Sequence, residues 1–182
     1  DFWRDGYLVA PNAVTPAQLT ALNAALAGWI EDSRAHTAPF GPPTVDGRPR
    51  FDMGAEHRAD APALRRVNNP AEVSDAYLEV MRDAPMVDMV ADLIGPNVKY
   101  HHCKLNIKLP GAATRVHYHQ DFMYTPHSND DVVTALLMLE DVDDANGCLM
   151  VAPGSHRGAL DSLFQDGKFT GMVAADRAEE LQ

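Results

Sequence analysis

Cysteine is nearly absent from this chain, with Cys103 and Cys148 the only two in 182 residues. Two thiols are too few for a disulfide framework, so a hydrophobic core must hold the fold, and a reducing cytoplasm is the expected compartment. No apolar run approaches the ~20 residues of a membrane span. No basic segment followed by an apolar one opens the chain, so neither a membrane partner nor a secretory leader is expected. Positive charge is also scarce: 15 Lys and Arg stand against 26 Asp and Glu, a formal charge of −11. A nucleic-acid partner calls for a basic patch, and none is visible. Internal repeats and low-complexity tracts are lacking as well. What remains is a soluble composition, 46% hydrophobic, long enough for a single domain with a sizeable core.

The first half reads as helical. Thr15-Pro16-Ala17-Gln18 has a capping residue, a proline for the first turn and a glutamine to close a capping box. Leu19, Leu22, Leu26, Trp29 and Ile30 then recur at helical spacing, so one face should be buried. Ala35 to Asp52, with four prolines and two glycines, reads as loop. Asn69-Pro70-Ala71-Glu72 repeats the capping logic for a second helix through about Arg82. A third is expected from Pro85 to Ile94, stopped by Gly95-Pro96.

After residue 97 the texture changes to strands: Val98–Leu109, Thr114–Asp121, Val132–Leu139 and Cys148–Val151. Helices first and strands afterwards suggest a β-sandwich or barrel with helices outside it. In the first of these strands, alternation puts Tyr100, His102, Lys104, Asn106 and Lys108 on one face and Cys103, Leu105, Ile107 and Leu109 on the other. The polar face either meets water or lines a ligand cavity inside a barrel. Met138 and Met150 fall in strand patterns and read as core, and Cys103 reads as a small buried hydrophobe.

His117-Tyr118-His119-Gln120-Asp121 carries the chemistry. On a strand, residues two apart point the same way, so His119 and Asp121 project together with Gln120 opposite. An imidazole and a carboxylate side by side are two corners of the 2-His-1-carboxylate triad that binds Fe(II) and leaves three positions open. His117 shares that face, but four residues of strand span ~13 Å, too far for three ligands on one ion, so a third must come from another segment. Taken alone, the three-residue pattern is equally that of a surface strand with a solvated Asp and a half-buried His.

The wider context decides between them. His119-Gln120-Asp121, Tyr124, Pro126-His127, Asn129-Asp130-Asp131, Leu139-Glu140-Asp141, Asn146-Gly147-Cys148-Leu149 and Pro153-Gly154-Ser155-His156-Arg157-Gly158 follow one another in an order that resembles the phytanoyl-CoA dioxygenase family. The match is strongest from Lys99 to Gly158. Phe2-Trp3-Arg4-Asp5-Gly6-Tyr7 and the helix after Thr15 look like the family's N-terminal region. The resemblance implies a mainly β fold with N-terminal helices, a double-stranded β-helix or jelly-roll barrel. It implies a dioxygenase that couples decarboxylation of 2-oxoglutarate to hydroxylation of a small molecule by O₂. His119 and Asp121 match the family's metal ligands for Fe(II). Lys104 and Asn106 lie on the strand that in the family helps line the 2-oxoglutarate pocket, and Thr134, on the strand after the motif, is a further, weaker lining candidate.

On this reading residues 1–182 form one partial oxygenase domain, 1–97 its mostly helical flank and 98–160 the first half of the jelly roll. The family's distal His, and the Arg that pairs with the far carboxylate of 2-oxoglutarate, are expected beyond Gln182, in a longer enzyme whose C-terminal strands follow. His156 belongs to the family's Pro-Gly-Ser-His turn and is not expected to replace the distal ligand. Two rivals stand beside the oxygenase: a cupin-like isomerase or hydrolase with another metal, and a non-catalytic binding domain lacking the distal His and Arg.

Overall fold

A computed structural model of the chain describes residues 1–108 and 116–181. Its first element is a single turn, α1 (Phe2–Asp5), ended by Gly6 at φ 82°. Helix α2 (Pro16–Ser33) begins as expected. The Gln18 amide donates to the Thr15 hydroxyl, and the Gln18 side chain accepts from the Thr15 amide, a cap of about 1 kcal/mol. Leu22 is buried, and Leu19, Leu26, Trp29 and Ile30 are half-buried on the same side.

Two strands interrupt the region expected to hold only loop and helix. Phe40 and Phe51 form an antiparallel bridge with stacked rings, and β1 (Phe51–Met53) pairs antiparallel with β2 (Leu64–Asn68). The strand β2 is central in a three-stranded sheet of order β1-β2-β3, where β3 is Lys104–Asn106. Arg50, 3% exposed, holds this corner. Its guanidinium donates to the carbonyls of Asn68 (2.7 Å) and Asn69 (3.0 Å) and to Glu72 (2.5 Å).

The single helix expected from Asn69 to Arg82 is two elements. Pro70–Glu72 is a 3-10 turn, and α3 (Asp75–Arg82) starts afresh after an extended Ser74. Asn69 does not cap. It adopts φ 45°, and its side-chain oxygen accepts the Cys103 amide (3.3 Å), which ties the turn to the approach of β3. Helix α4 (Pro85–Ile94) has the expected bounds, and Gly95 follows at φ 98°. Among the described residues no helix is long and apolar enough to cross a membrane.

Most of the expected strands do not pair. Of Val98–Leu109 only β3 is in a sheet, and Leu109 lies outside the described residues. Its alternation does hold. Cys103, Leu105 and Ile107 are half-buried, while Lys104, Asn106 and Lys108 are exposed. Of Thr114–Asp121, the first two residues lie outside the described residues, the next five are not in a strand, and Asp121 opens a 3-10 turn. Val132–Leu139 and Cys148–Val151 have no strand partner among the described residues. A strand exists only through a hydrogen-bonded neighbour, so alternation there does not make a sheet. Met138 and Met150 are accordingly exposed rather than core. Among the described residues the sheets have three and two strands, and neither closes into a barrel.

The core lies where α2 and α3 meet the sheet. Leu22, Tyr77, Val80 and Met86 pack together with Cys103, Leu105, Leu137 and Leu139 around them. Phe51, Leu64 and Val67 form an adjoining cluster under Trp29 and Ile107. The Asn23 side chain donates to the Leu139 carbonyl (3.0 Å), tying Leu139 to α2. The last part of the chain holds the hairpin β4 (Phe164–Gln165) and β5 (Lys168–Phe169), then α5 (Ala175–Glu180). Asp166 and Gly167, both at positive φ, make the two-residue hairpin turn.

Candidate metal centre

Residues 117–121 are held in place by a segment that returns to them from further along the chain. The Val173 amide donates to the Tyr118 carbonyl (3.0 Å). Gln120 points away from its two neighbours, and its side-chain oxygen accepts the Asp161 amide (2.8 Å). With Tyr118 and Gln120 fixed from behind, His119 and Asp121 are presented on the other side. Their convergence comes from a bend rather than a strand, because the 3-10 turn Asp121–Met123 begins at the carboxylate.

The His119 Nε2 lies 3.3 Å from the Asp121 Oδ1. The other ring nitrogen, Nδ1, is 2.7 Å from the His117 carbonyl. A carbonyl accepts only, so Nδ1 carries a proton and donates. In the neutral ring Nε2 then presents a lone pair to a carboxylate oxygen, and two acceptors meet. A proton or a cation between them resolves the conflict. With a proton between them, the pair is an imidazolium–carboxylate hydrogen bond. The hydrogen bond to Asp121 raises the His119 pKa, and the same bond holds the Asp121 pKa at about 2.

A cation satisfies the same geometry. Two donors each ~2.1 Å from one ion at neighbouring octahedral corners stand ~3 Å apart, close to the observed separation. The Nδ1–H bond to a backbone carbonyl is the outer contact that fixes the tautomer of a metal-binding histidine. The donor set therefore suits two corners of a site for a divalent metal. Among the described residues no group of three His, Cys, Asp or Glu converges on one point, so the site has two of the three corners expected.

Polar and cationic groups adjoin the pair. The Lys104 ammonium acts on both His119 and Asp121, helping to lower the latter. Among the described residues it has no carboxylate within salt-bridge distance. Asn106, one step along the same face of β3, has its side-chain oxygen bound by Arg66 Nε of β2 (3.0 Å), its partner across the ladder. The Thr134 hydroxyl donates to Asp121 Oδ2 (2.8 Å). His102 is held below its ordinary pKa, first by burial and then by His101 and Lys104. His101 and His127 meet edge to face at 4.9 Å.

An aromatic row also adjoins the pair. Tyr124 meets the His119 ring edge-on at 5.3 Å and Phe169 at 5.4 Å, and Phe169 meets Phe164 at 5.3 Å. His156 is engaged with α1 instead. Its Nε2 faces the Trp3 carbonyl (3.1 Å), and its ring packs so closely over Gly6 that a Cβ there would sit 2.2 Å from Nδ1. The Pro-Gly-Ser-His turn is thus a seat for α1. Sequence reasoning missed the partners of the pair: the His117 carbonyl, the anchoring of Gln120 and the return of residues 159–173. Only the placement of Gln120 opposite its neighbours hinted at any of them.

The profile of the phytanoyl-CoA dioxygenase family matches residues 2–177. A probable alpha-ketoglutarate-dependent hypophosphite dioxygenase of Stutzerimonas stutzeri is 39% identical over 97 residues, 53% of this chain and 34% of that protein. An ectoine dioxygenase of Streptomyces avermitilis is 26% identical over 158 residues, 84% of this chain and 48% of its own. An L-proline trans-4-hydroxylase of Streptomyces griseoviridis is 24% identical over 172 residues, 92% of this chain and 58% of its own. The chain thus spans about half the length of the curated relatives it matches, and no solved structure gives a significant match. With the profile running through both the helical first half and the His119–Asp121 pair, the chain belongs to the phytanoyl-CoA dioxygenase family.

Proposed function

We propose that this chain is part of an Fe(II)- and 2-oxoglutarate-dependent dioxygenase that hydroxylates a small organic molecule and releases succinate and CO₂. The observation that carries the proposal is the His119–Asp121 pair, two donors 3.3 Å apart with the far ring nitrogen already committed to a carbonyl. Family membership and the dioxygenase and hydroxylase names of its relatives support the reaction class. Ectoine and proline, named for two of these relatives, are small organic molecules, which supports a substrate of that class. The fold proposed for the complete protein is a jelly-roll barrel, with residues 98–160 as its first half.

His119 and Asp121 hold the metal. Bound Fe(II) with 2-oxoglutarate supplies the activation of O₂ needed to hydroxylate an unactivated C–H bond. Lys104, a cation beside the pair, attracts an anionic cosubstrate and offsets its charge. Asn106, on the same face, orients that cosubstrate through its side-chain amide while Arg66 fixes the amide's rotation. Tyr124 packs edge-on against the His119 ring and steadies its orientation.

The test is anaerobic titration of the full-length protein with Fe(II) and 2-oxoglutarate. The visible charge-transfer band of the chelate is the expected result, together with loss of Fe(II)-dependent succinate formation in Asp121→Ala. Undiminished succinate formation in that variant removes Asp121 from the mechanism.

A further inference from the structure

We infer that Thr134 is a positioning residue that keeps Asp121 a one-oxygen ligand, an inference that rests on the metal-binding reading of the His119–Asp121 pair. The two carboxylate oxygens of Asp121 have different neighbours. Oδ1 faces His119 Nε2 at 3.3 Å, and Oδ2 accepts the Thr134 hydroxyl at 2.8 Å. The threonine comes from a segment 13 residues away, held against α2 through the Leu139 carbonyl and the packing of Leu137 and Leu139. The hydroxyl therefore reaches the carboxylate from a separately anchored part of the fold.

A carboxylate with both oxygens free can swing about its last torsion and chelate an ion with both, filling two corners. One whose second oxygen holds a hydroxyl proton presents a single oxygen. With one corner taken by Asp121 rather than two, more of the coordination sphere stays open for a bidentate cosubstrate and O₂. The hydroxyl also orients the carboxylate before any ion arrives, so less order is lost on binding. A threonine that merely packed would act differently. Thr134 is exposed, and removal of an exposed hydroxyl with no further role leaves both stability and metal affinity where they were.

Two substitutions separate these roles. Thr134→Val keeps the shape and deletes the hydroxyl, whereas Thr134→Ser keeps the hydroxyl and deletes the methyl. The readout is the affinity of the metal-free, full-length protein for Mn(II), followed by electron paramagnetic resonance without cosubstrate or O₂, so that no turnover enters. Loss of an outer contact to a metal ligand typically weakens binding about 10–100-fold. Thr134→Val is expected to fall in that range with an unchanged urea midpoint, and Thr134→Ser to bind as the parent does. Equal Mn(II) affinity in the parent and Thr134→Val overturns the inference and leaves the oxygenase reading standing. So does equal weakening in both variants, or a lowered urea midpoint that tracks the loss of affinity. A parent protein that binds no Mn(II) overturns both readings together.

Discussion

The Asp161 amide donates to the side-chain oxygen of Gln120 at 2.8 Å, across 41 residues of chain. The same side chain donates through its nitrogen to the Ala159 carbonyl at 3.4 Å. One amide thus satisfies two backbone groups of a segment without regular structure, directly behind the candidate metal ligands. Gln120→Leu preserves the volume and loses both bonds. A net value near 1 kcal/mol per bond gives an expected loss of about 1–2 kcal/mol in urea denaturation. An unchanged midpoint would mean that water replaces the glutamine at no cost.

Gly171 and Tyr124 are coupled by space as well as by a hydrogen bond. The Tyr124 hydroxyl donates to the Gly171 carbonyl at 2.5 Å, Gly171 has φ +71°, and a Cβ placed there would lie 2.5 Å from the same hydroxyl oxygen. Gly171→Ala is expected to cost about 1–2 kcal/mol from the left-handed backbone, plus the displacement of the tyrosine. Tyr124→Phe alone should cost about 1 kcal/mol, one hydrogen bond. In the double variant the clash is gone, so the two losses should fall short of their sum by more than the ~0.5 kcal/mol of ordinary additivity. Strict additivity in the double-mutant cycle would rule out the steric contact.

These partners show where sequence reasoning stops. Helices α2 and α4 are legible because their signals are local: a capping box at Thr15 and Gln18, and a proline start with a glycine stop around residues 85–95. Strands β1 and β2 are not. In Leu64-Arg65-Arg66-Val67-Asn68 two adjacent arginines break the alternation, and the strand is fixed instead by Arg50, which reaches the carbonyls of Asn68 and Asn69 from 18 and 19 residues away. Asn69 has the composition of a cap, but its oxygen goes to Cys103. The juxtaposition of His119 and Asp121 could be read from their spacing, yet the assumed strand is not what produces it. A bend at Asp121, a carbonyl two residues before His119 and contacts from residues 134, 159, 161 and 173 set the pair, and no local pattern encodes such contacts.

Tyr77 gives the fold a predictable alkaline limit. It is 6% exposed on α3, its ring lies 5.2 Å from that of Trp29, and its hydroxyl donates to the Leu22 carbonyl at 3.5 Å. Burial pushes the phenol up to about 12, and Cys103 adds to the shift. The folded pKa is therefore above the ordinary value near 10. A group shifted in this direction contributes its full stability below the unfolded pKa and loses it as pH rises through the folded one. The expected course is a flat dependence on this group up to pH ~10, then a loss on the order of 2–3 kcal/mol by pH ~12. Urea midpoints across that range, with phenolate absorbance as a second probe, measure it. Tyr77→Phe should flatten the decline but leave a residue, because Tyr100 and Tyr124 are shifted in the same direction. An identical decline in Tyr77→Phe would assign the alkaline limit to other groups.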